Sequence, residues 1–191
     1  MKNIVLGLFL AVISFSANAQ TTATPVKYTI LDASPLDVLY YPLNAVKVKK
    51  GDPSMPIIKI VYSRPAKKGR EVFGVLEQFD KVWRLGANEN TEISFAKTVT
   101  IGDKKIKAGT YSLFAIPTKD SWTIIVNKQT DRWGAFSYDE VNDVARVVVP
   151  ITKTEKVVEN FSMTFAESTE GANLFMAWDK TQVMLPIVFK K

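Results

Sequence analysis

The chain has 191 residues, a formal net charge of +6, and neither histidine nor cysteine. Those two absences exclude thiol nucleophiles, Ser-His-Asp triads, imidazole-ligated zinc or copper and histidine proton relays, leaving carboxylates, lysine, tyrosine, serine or an oxygen-liganded hard cation for any chemistry. The basic residues are scattered, as at Lys47, Lys49, Lys50 and at Lys67, Lys68, Arg70, with no aromatic-interleaved stripe, so the surface is expected to be solvated and mildly cationic, with no nucleic-acid partner.

In chain order, Lys2, an apolar run from Ile4 to Phe15 and the small-residue ending Ala17-Asn18-Ala19 have the pattern of a secretory signal peptide. Residues 1–19 are expected to be removed between Ala19 and Gln20, leaving residues 20–191 as a single domain, periplasmic or secreted. The apolar run is shorter than the about 20 residues of a membrane helix, so no span is expected in the mature form. Beyond it the apolar period is mostly two. Phe161, Met163 and Phe165 share one face, as do Val183, Leu185 and Ile187, and as do Trp122, Ile124 and Val126. The pattern predicts strands near 27–31, 45–49, 57–62, 91–95, 98–101, 110–116, 121–127, 144–149, 157–165, 172–178 and 182–188. Turn signals separate them at Gly51-Asp52-Pro53, Gly102-Asp103, Ala108-Gly109, Pro117 to Asp120 and Glu170-Gly171. Short strands at this spacing predict an all-β, antiparallel sandwich, jelly-roll or barrel-like. The three- and four-residue steps of Val72, Val75, Leu76, Phe79 and Val82 admit one short helix near 70–80, although Gly74 in its middle costs about 1 kcal/mol against alanine.

Three polar and aromatic clusters stand out. In "VWRLGANENTEI", residues 82–93, a structural reading puts Trp83 in the core, Gly86 and Asn88 at positive φ, and an Arg84–Glu89 pair across a turn. A binding reading takes Arg84 as a donor fork, Asn88 as donor and acceptor, Glu89 as acceptor and Trp83 as a stacking face for a small polar ligand. Similar mixtures recur at Tyr62-Ser63-Arg64 and from Trp133 to Tyr138. Glu89 and Glu92 form a carboxylate pair in the same stretch. The acids Asp139, Glu140 and Asp143 lack the glycine and closing glutamate of a calcium loop, so no metal site is expected.

The blocks "YYP" at 40–42, "YSRP" at 62–65, "KGR" at 68–70, "FG" at 73–74, "VWRLGANENTEI", "AGTYSLFAIP" at 108–117, "WTIIVNK" at 122–128 and "WGAFSYDE" at 133–140 occur in this order. Together they resemble the bacterial secreted family catalogued as domain of unknown function 2911, over about Ser34 to Ile187. The resemblance implies no reaction, ligand or catalytic residue. The residues themselves point to a non-catalytic binding module for a small polar or carbohydrate-like ligand, with Tyr62, Arg64, Trp83, Arg84, Asn88, Glu89, Trp133 and Tyr138 as ligand-binding candidates and no cofactor. The alternatives are a carboxylate-dependent glycan hydrolase with Glu89 as acid, and a structural module that binds another envelope protein through a sheet edge.

Overall fold

The computed structural model describes residues 26–45 and 55–189. The expected signal peptide, all but Ala45 of the expected strand at 45–49 and the turn Gly51-Asp52-Pro53 lie outside the described residues. Of the described residues, 26–30 belong to one unit and 31–45 and 55–189 to a second. The alternating residues 27–31 form no strand: among the described residues no ladder pairs with them, and Tyr28, Ile30 and Leu31 are exposed.

Ten strands follow among the described residues of the second unit: β1 Leu36–Tyr41, β2 Ile58–Ser63, β3 Thr91–Phe95, β4 Val99–Ile101, β5 Lys104–Ile106, β6 Gly109–Pro117, β7 Ser121–Asn127, β8 Asp143–Pro150, β9 Thr152–Ser168 and β10 Gly171–Val188. All their pairings are antiparallel. They build a six-stranded sheet in the order β1-β2-β3-β6-β7-β8 and a four-stranded sheet in the order β5-β4-β10-β9, and neither closes into a barrel.

Alternation explains the packing, because successive side chains of a strand point to opposite faces. Ile58 and Ile60, Ile93 and Phe95, Leu113 and Ala115, and Trp122, Ile124 and Val126 turn one face of the large sheet into the core. The small sheet answers with Phe161, Met163 and Phe165, then Leu174, Met176 and Trp178, then Val183, Leu185 and Ile187. Each such fully buried side chain contributes about 1.5–3 kcal/mol. At the centre sit Phe73, Trp83, Trp122, Phe161 and Trp178, with Trp83 stacked on Trp178 at 5.9 Å and edge-on to Phe161 at 5.0 Å. The long β9–β10 hairpin returns at Gly171, where a Cβ would collide with the Ile187 carbonyl; only glycine fits there.

Residues 70–80 form turns rather than a helix. Gly74 has φ +97°, and its amide donates to Glu77 O at 2.8 Å, a contact of a turn that also forms the Phe73–Glu77 bridge. The helical spacing does not mark one buried face: Val72 is fully buried and Val75 is 62% exposed.

Candidate functional site

The stretch 82–93 interrupts a ladder. Trp83 N donates to Ala115 O at 2.7 Å and Ala115 N to Trp83 O at 2.9 Å, while Thr91 lies opposite Leu113. β6 therefore advances from Leu113 to Ala115 while the facing chain runs from 91 back to 83, and residues 84–90 are thrown out as a bulge loop. Thr91 closes the loop, donating from its amide to Arg84 O at 3.2 Å and from Oγ1 to Leu85 O at 2.6 Å. Trp83 Nε1 adds a bond to Gly86 O at 3.1 Å. The positive φ angles fall on Leu85 and Asn88, not on Gly86. Gly86 serves close packing instead: a Cβ there would lie 3.0 Å from the Ser63 carbonyl oxygen, a tight approach to backbone. The expected Arg84–Glu89 pair is absent; Arg84 Nη1 donates to Asn88 O at 3.0 Å.

A second loop, 128–142, packs against Phe114 of β6. Its Tyr138 meets Phe114 edge-on at 5.2 Å, and the Tyr138 hydroxyl donates to Asp143 Oδ2 at 2.7 Å while accepting from Arg146 Nη2 at 2.6 Å. Burial, reinforced by the bond to Asp143, pushes the Tyr138 hydroxyl up to about 12. Asn127, fully buried, donates to Asp143 Oδ1 at 2.7 Å and accepts from Gln129 N at 2.8 Å. Tyr138 is therefore a fastener of this loop.

The two loops are tied together by Asn90. Its Oδ1 accepts from Arg132 N at 2.9 Å, its amide donates to Arg132 O at 3.0 Å, and its Nδ2 donates to Ser112 Oγ at 2.5 Å. Ser112 passes the chain of bonds on to Gln129 O. Glu92 Oε1 accepts from Asp131 N at 2.7 Å, Glu89 bridges to Trp133, and Gly134 N donates to Asn88 O at 2.9 Å. Between the loops and the outer face of β2 and β3 lies a cleft of about 390 Å³. Leu36, Val61 and Trp133 give it apolar surface; Glu89, Glu92, Asp131 and Arg132 give it charge. Trp133 is 59% exposed. The Glu89 carboxylate and the Arg132 guanidinium make no hydrogen bond or ion pair among the described residues. No three acidic side chains among the described residues are grouped so that they could hold a metal ion.

Of the eight candidates from the sequence, Glu89 and Trp133 line this cleft. Trp83 is 3% exposed and central to the core. Tyr62 is buried, accepting from Met163 N at 3.1 Å, and burial raises its hydroxyl pKa. Arg64 spends its donors on Asp37 at 2.9 Å, Ser162 Oγ at 2.8 Å and Phe161 O at 3.2 Å, joining the two sheets. Arg84 and Asn88 lie on the other side of the bulge loop, in a separate pocket of about 270 Å³ with Arg70, Glu77 and Trp178. There burial pushes the Glu77 carboxyl up to about 7, against the opposing pull of Arg84 and Arg70.

The family described as Protein of unknown function (DUF2911) matches residues 42–187. The chain belongs to that family. No curated protein and no solved structure matches it. In this DUF2911 chain the sequence signal for Asp131 and Arg132 was their place beside Trp133, whereas Glu77 was hidden inside a segment whose spacing suggested a helix. No helix among the described residues is long and apolar enough to cross a membrane.

Proposed function

We propose that this protein is an exported, non-catalytic binding module whose cleft beside Trp133 takes a small polar, carbohydrate-like ligand. One observation carries the reading: an exposed indole stands beside an unpaired carboxylate and an unpaired guanidinium, Glu89 and Arg132, on loops fastened by buried hydrogen bonds. An indole offers a flat apolar face for the C–H face of a sugar ring, while carboxylates accept from hydroxyls and a guanidinium donates to them. A rigid frame lowers the ordering cost of capture. Exposure of Glu89 and Asp131 suits recognition better than general-acid chemistry, which needs a carboxyl shielded from water.

The tryptophans make the test direct. Of the four, Trp83, Trp122 and Trp178 are buried and Trp133 is exposed, so quenching by acrylamide reports on Trp133. Titration with a panel of envelope oligosaccharides should protect the emission from quencher and shift it to the blue. Trp133→Ala should abolish retention of the same sugar on an affinity column, with the melting temperature unchanged. A panel that neither protects Trp133 nor is retained sinks the reading.

A further inference from the structure

On the far side of the bulge loop, the pocket of about 270 Å³ holds two cations and a carboxyl that do not join. A guanidinium close to a carboxylate ordinarily closes into a short, bidentate pair. Here Glu77 forms no ion pair and its carboxyl no hydrogen bond among the described residues, although Arg84 and Arg70 are near enough to act on its charge. Arg84 makes one hydrogen bond, from Nη1 to the neutral Asn88 carbonyl, and its guanidinium lies over the Phe136 ring at 5.7 Å, a contact that leaves its other N–H groups without an acceptor among the described residues. Arg70 uses Nε on Lys67 O at 2.9 Å and Nη2 on Ala66 O at 2.6 Å, which fixes its guanidinium while leaving Nη1 without an acceptor. The amides of Gly86 and Ala87, both in the lining, also find no acceptor among the described residues. Leu85, fully buried at φ +55°, holds the loop in a backbone region that a leucine seldom adopts. The pocket is thus rich in unanswered donors, and its charged groups are two guanidiniums against one carboxyl.

We propose that this pocket is a second binding site, which takes the oxyanion of a small ligand, a carboxylate or a tetrahedral sulfate- or phosphate-like group, between Arg70 and Arg84 with Glu77 donating a proton-bearing oxygen to it. An anion in that place would satisfy the free guanidinium donors and form the charge-assisted bonds that the protein leaves unmade. Glu77 is suited to the donor role because burial keeps its carboxyl neutral to higher pH than an ordinary glutamate. Among the described residues, Arg84 and Arg70 are the charged groups that act on it, and the rest of the pocket lining carries no titratable side chain. Near and above pH 7, where the free carboxyl is ionised, capture of an anion takes up a proton, so affinity falls as pH rises through about 7. The site is separate from the cleft beside Trp133, with which it shares no lining residue.

Calorimetric titration of the full chain with sulfate and with acetate, neither of which changes charge between pH 6 and pH 8, tests this at low ionic strength. At least one anion should bind saturably with one-to-one stoichiometry at pH 6, the stronger of the two identifying the geometry preferred. Arg84→Gln and, independently, Arg70→Gln should each weaken it about tenfold or more, as expected for loss of bonds to a charged group. Glu77→Gln, which keeps a donor at every pH, should remove the difference in affinity between pH 6 and pH 8. Trp133→Ala should leave anion binding intact. Absence of saturable binding of both anions at pH 6, or binding unaffected in both arginine variants while their circular dichroism stays native, overturns the proposal.

Discussion

Trp83 and Glu89 belong to one loop yet live in different surroundings, and substitution separates them. Trp83 packs against Phe73, Trp122, Phe161 and Trp178, so Trp83→Ala should cost about 3–5 kcal/mol in urea denaturation. Glu89 is exposed and its carboxylate has no partner among the described residues, so Glu89→Gln should move stability by less than about 0.5 kcal/mol. Glu77 makes a third case, with a sign set by its proton. Its carboxyl titrates near 7 in the fold against about 4.5 in an unfolded chain, so the native state retains a proton that the unfolded state has lost. The resulting stability is complete below about pH 4.5 and is lost as pH rises through about 7. Glu77→Gln has no proton to lose. It should therefore be the more stable protein at pH 8, by on the order of 1–3 kcal/mol, with the difference shrinking toward pH 5. Equal urea midpoints for the two proteins at pH 8 would contradict the burial of that carboxyl.

At the scale of elements, the period-two segments were legible because burial and alternation coincide in them: β3 and β7 have the bounds expected from the sequence, and β8 differs by one residue at each end. The two segments expected at 172–178 and 182–188 are one strand, β10, bent at Asp179, whose φ of +54° accompanies the register shifts on either side of it. β1 leaves no period-two signal because its apolar residues are contiguous, Val38, Leu39, Tyr40 and Tyr41, rather than alternating, and β5 leaves none because two of its three residues are lysines at a sheet edge. The candidate site was legible only in part. Glu89 and Trp133 could be found from their own side chains, but the bulge that sends Arg84 and Asn88 to a different pocket is a property of the pairing with β6 and leaves no local mark. Asn90 is the residue on which the cleft's geometry depends. Asn90→Ala would strip the Arg132 amide and Ser112 Oγ of buried partners, so it should cost about 1–3 kcal/mol and raise acrylamide quenching of Trp133 as loop 128–142 loosens. Unchanged quenching in a folded Asn90→Ala protein would show that the loop is held without the Asn90 side chain, by its other ties such as Glu92 to Asp131 and Gly134 to Asn88.

For the molecule as a whole, the blocks that carry the family resemblance are distributed unevenly between frame and loops. "AGTYSLFAIP" and "WTIIVNK" follow β6 and β7, whereas "YSRP", "KGR", "VWRLGANENTEI" and "WGAFSYDE" contribute Ser63, Pro65, Arg70, Arg84, Glu89 and Trp133 to the two pockets. The family pattern thus combines a central ladder with the loops it supports, as expected when a rigid sheet positions binding residues on its connections. Export is the remaining expectation at this scale, resting on Lys2, the apolar run and the Ala17-Asn18-Ala19 ending. Expressed with its full N-terminus in a bacterial host, the protein should be recovered outside the cytoplasm with an intact mass that begins at Gln20, because the small side chains of Ala17 and Ala19 fit the cleavage pattern and the charge of Lys2 orients the segment. Replacing Ala19 by a bulky residue, as in Ala19→Phe, should block that cut and leave the larger species attached to membranes. Mature protein that retains Met1 to Ala19, or an Ala19→Phe chain processed at the same bond, would remove the argument for export and leave the two pockets to be tested against cytoplasmic ligands.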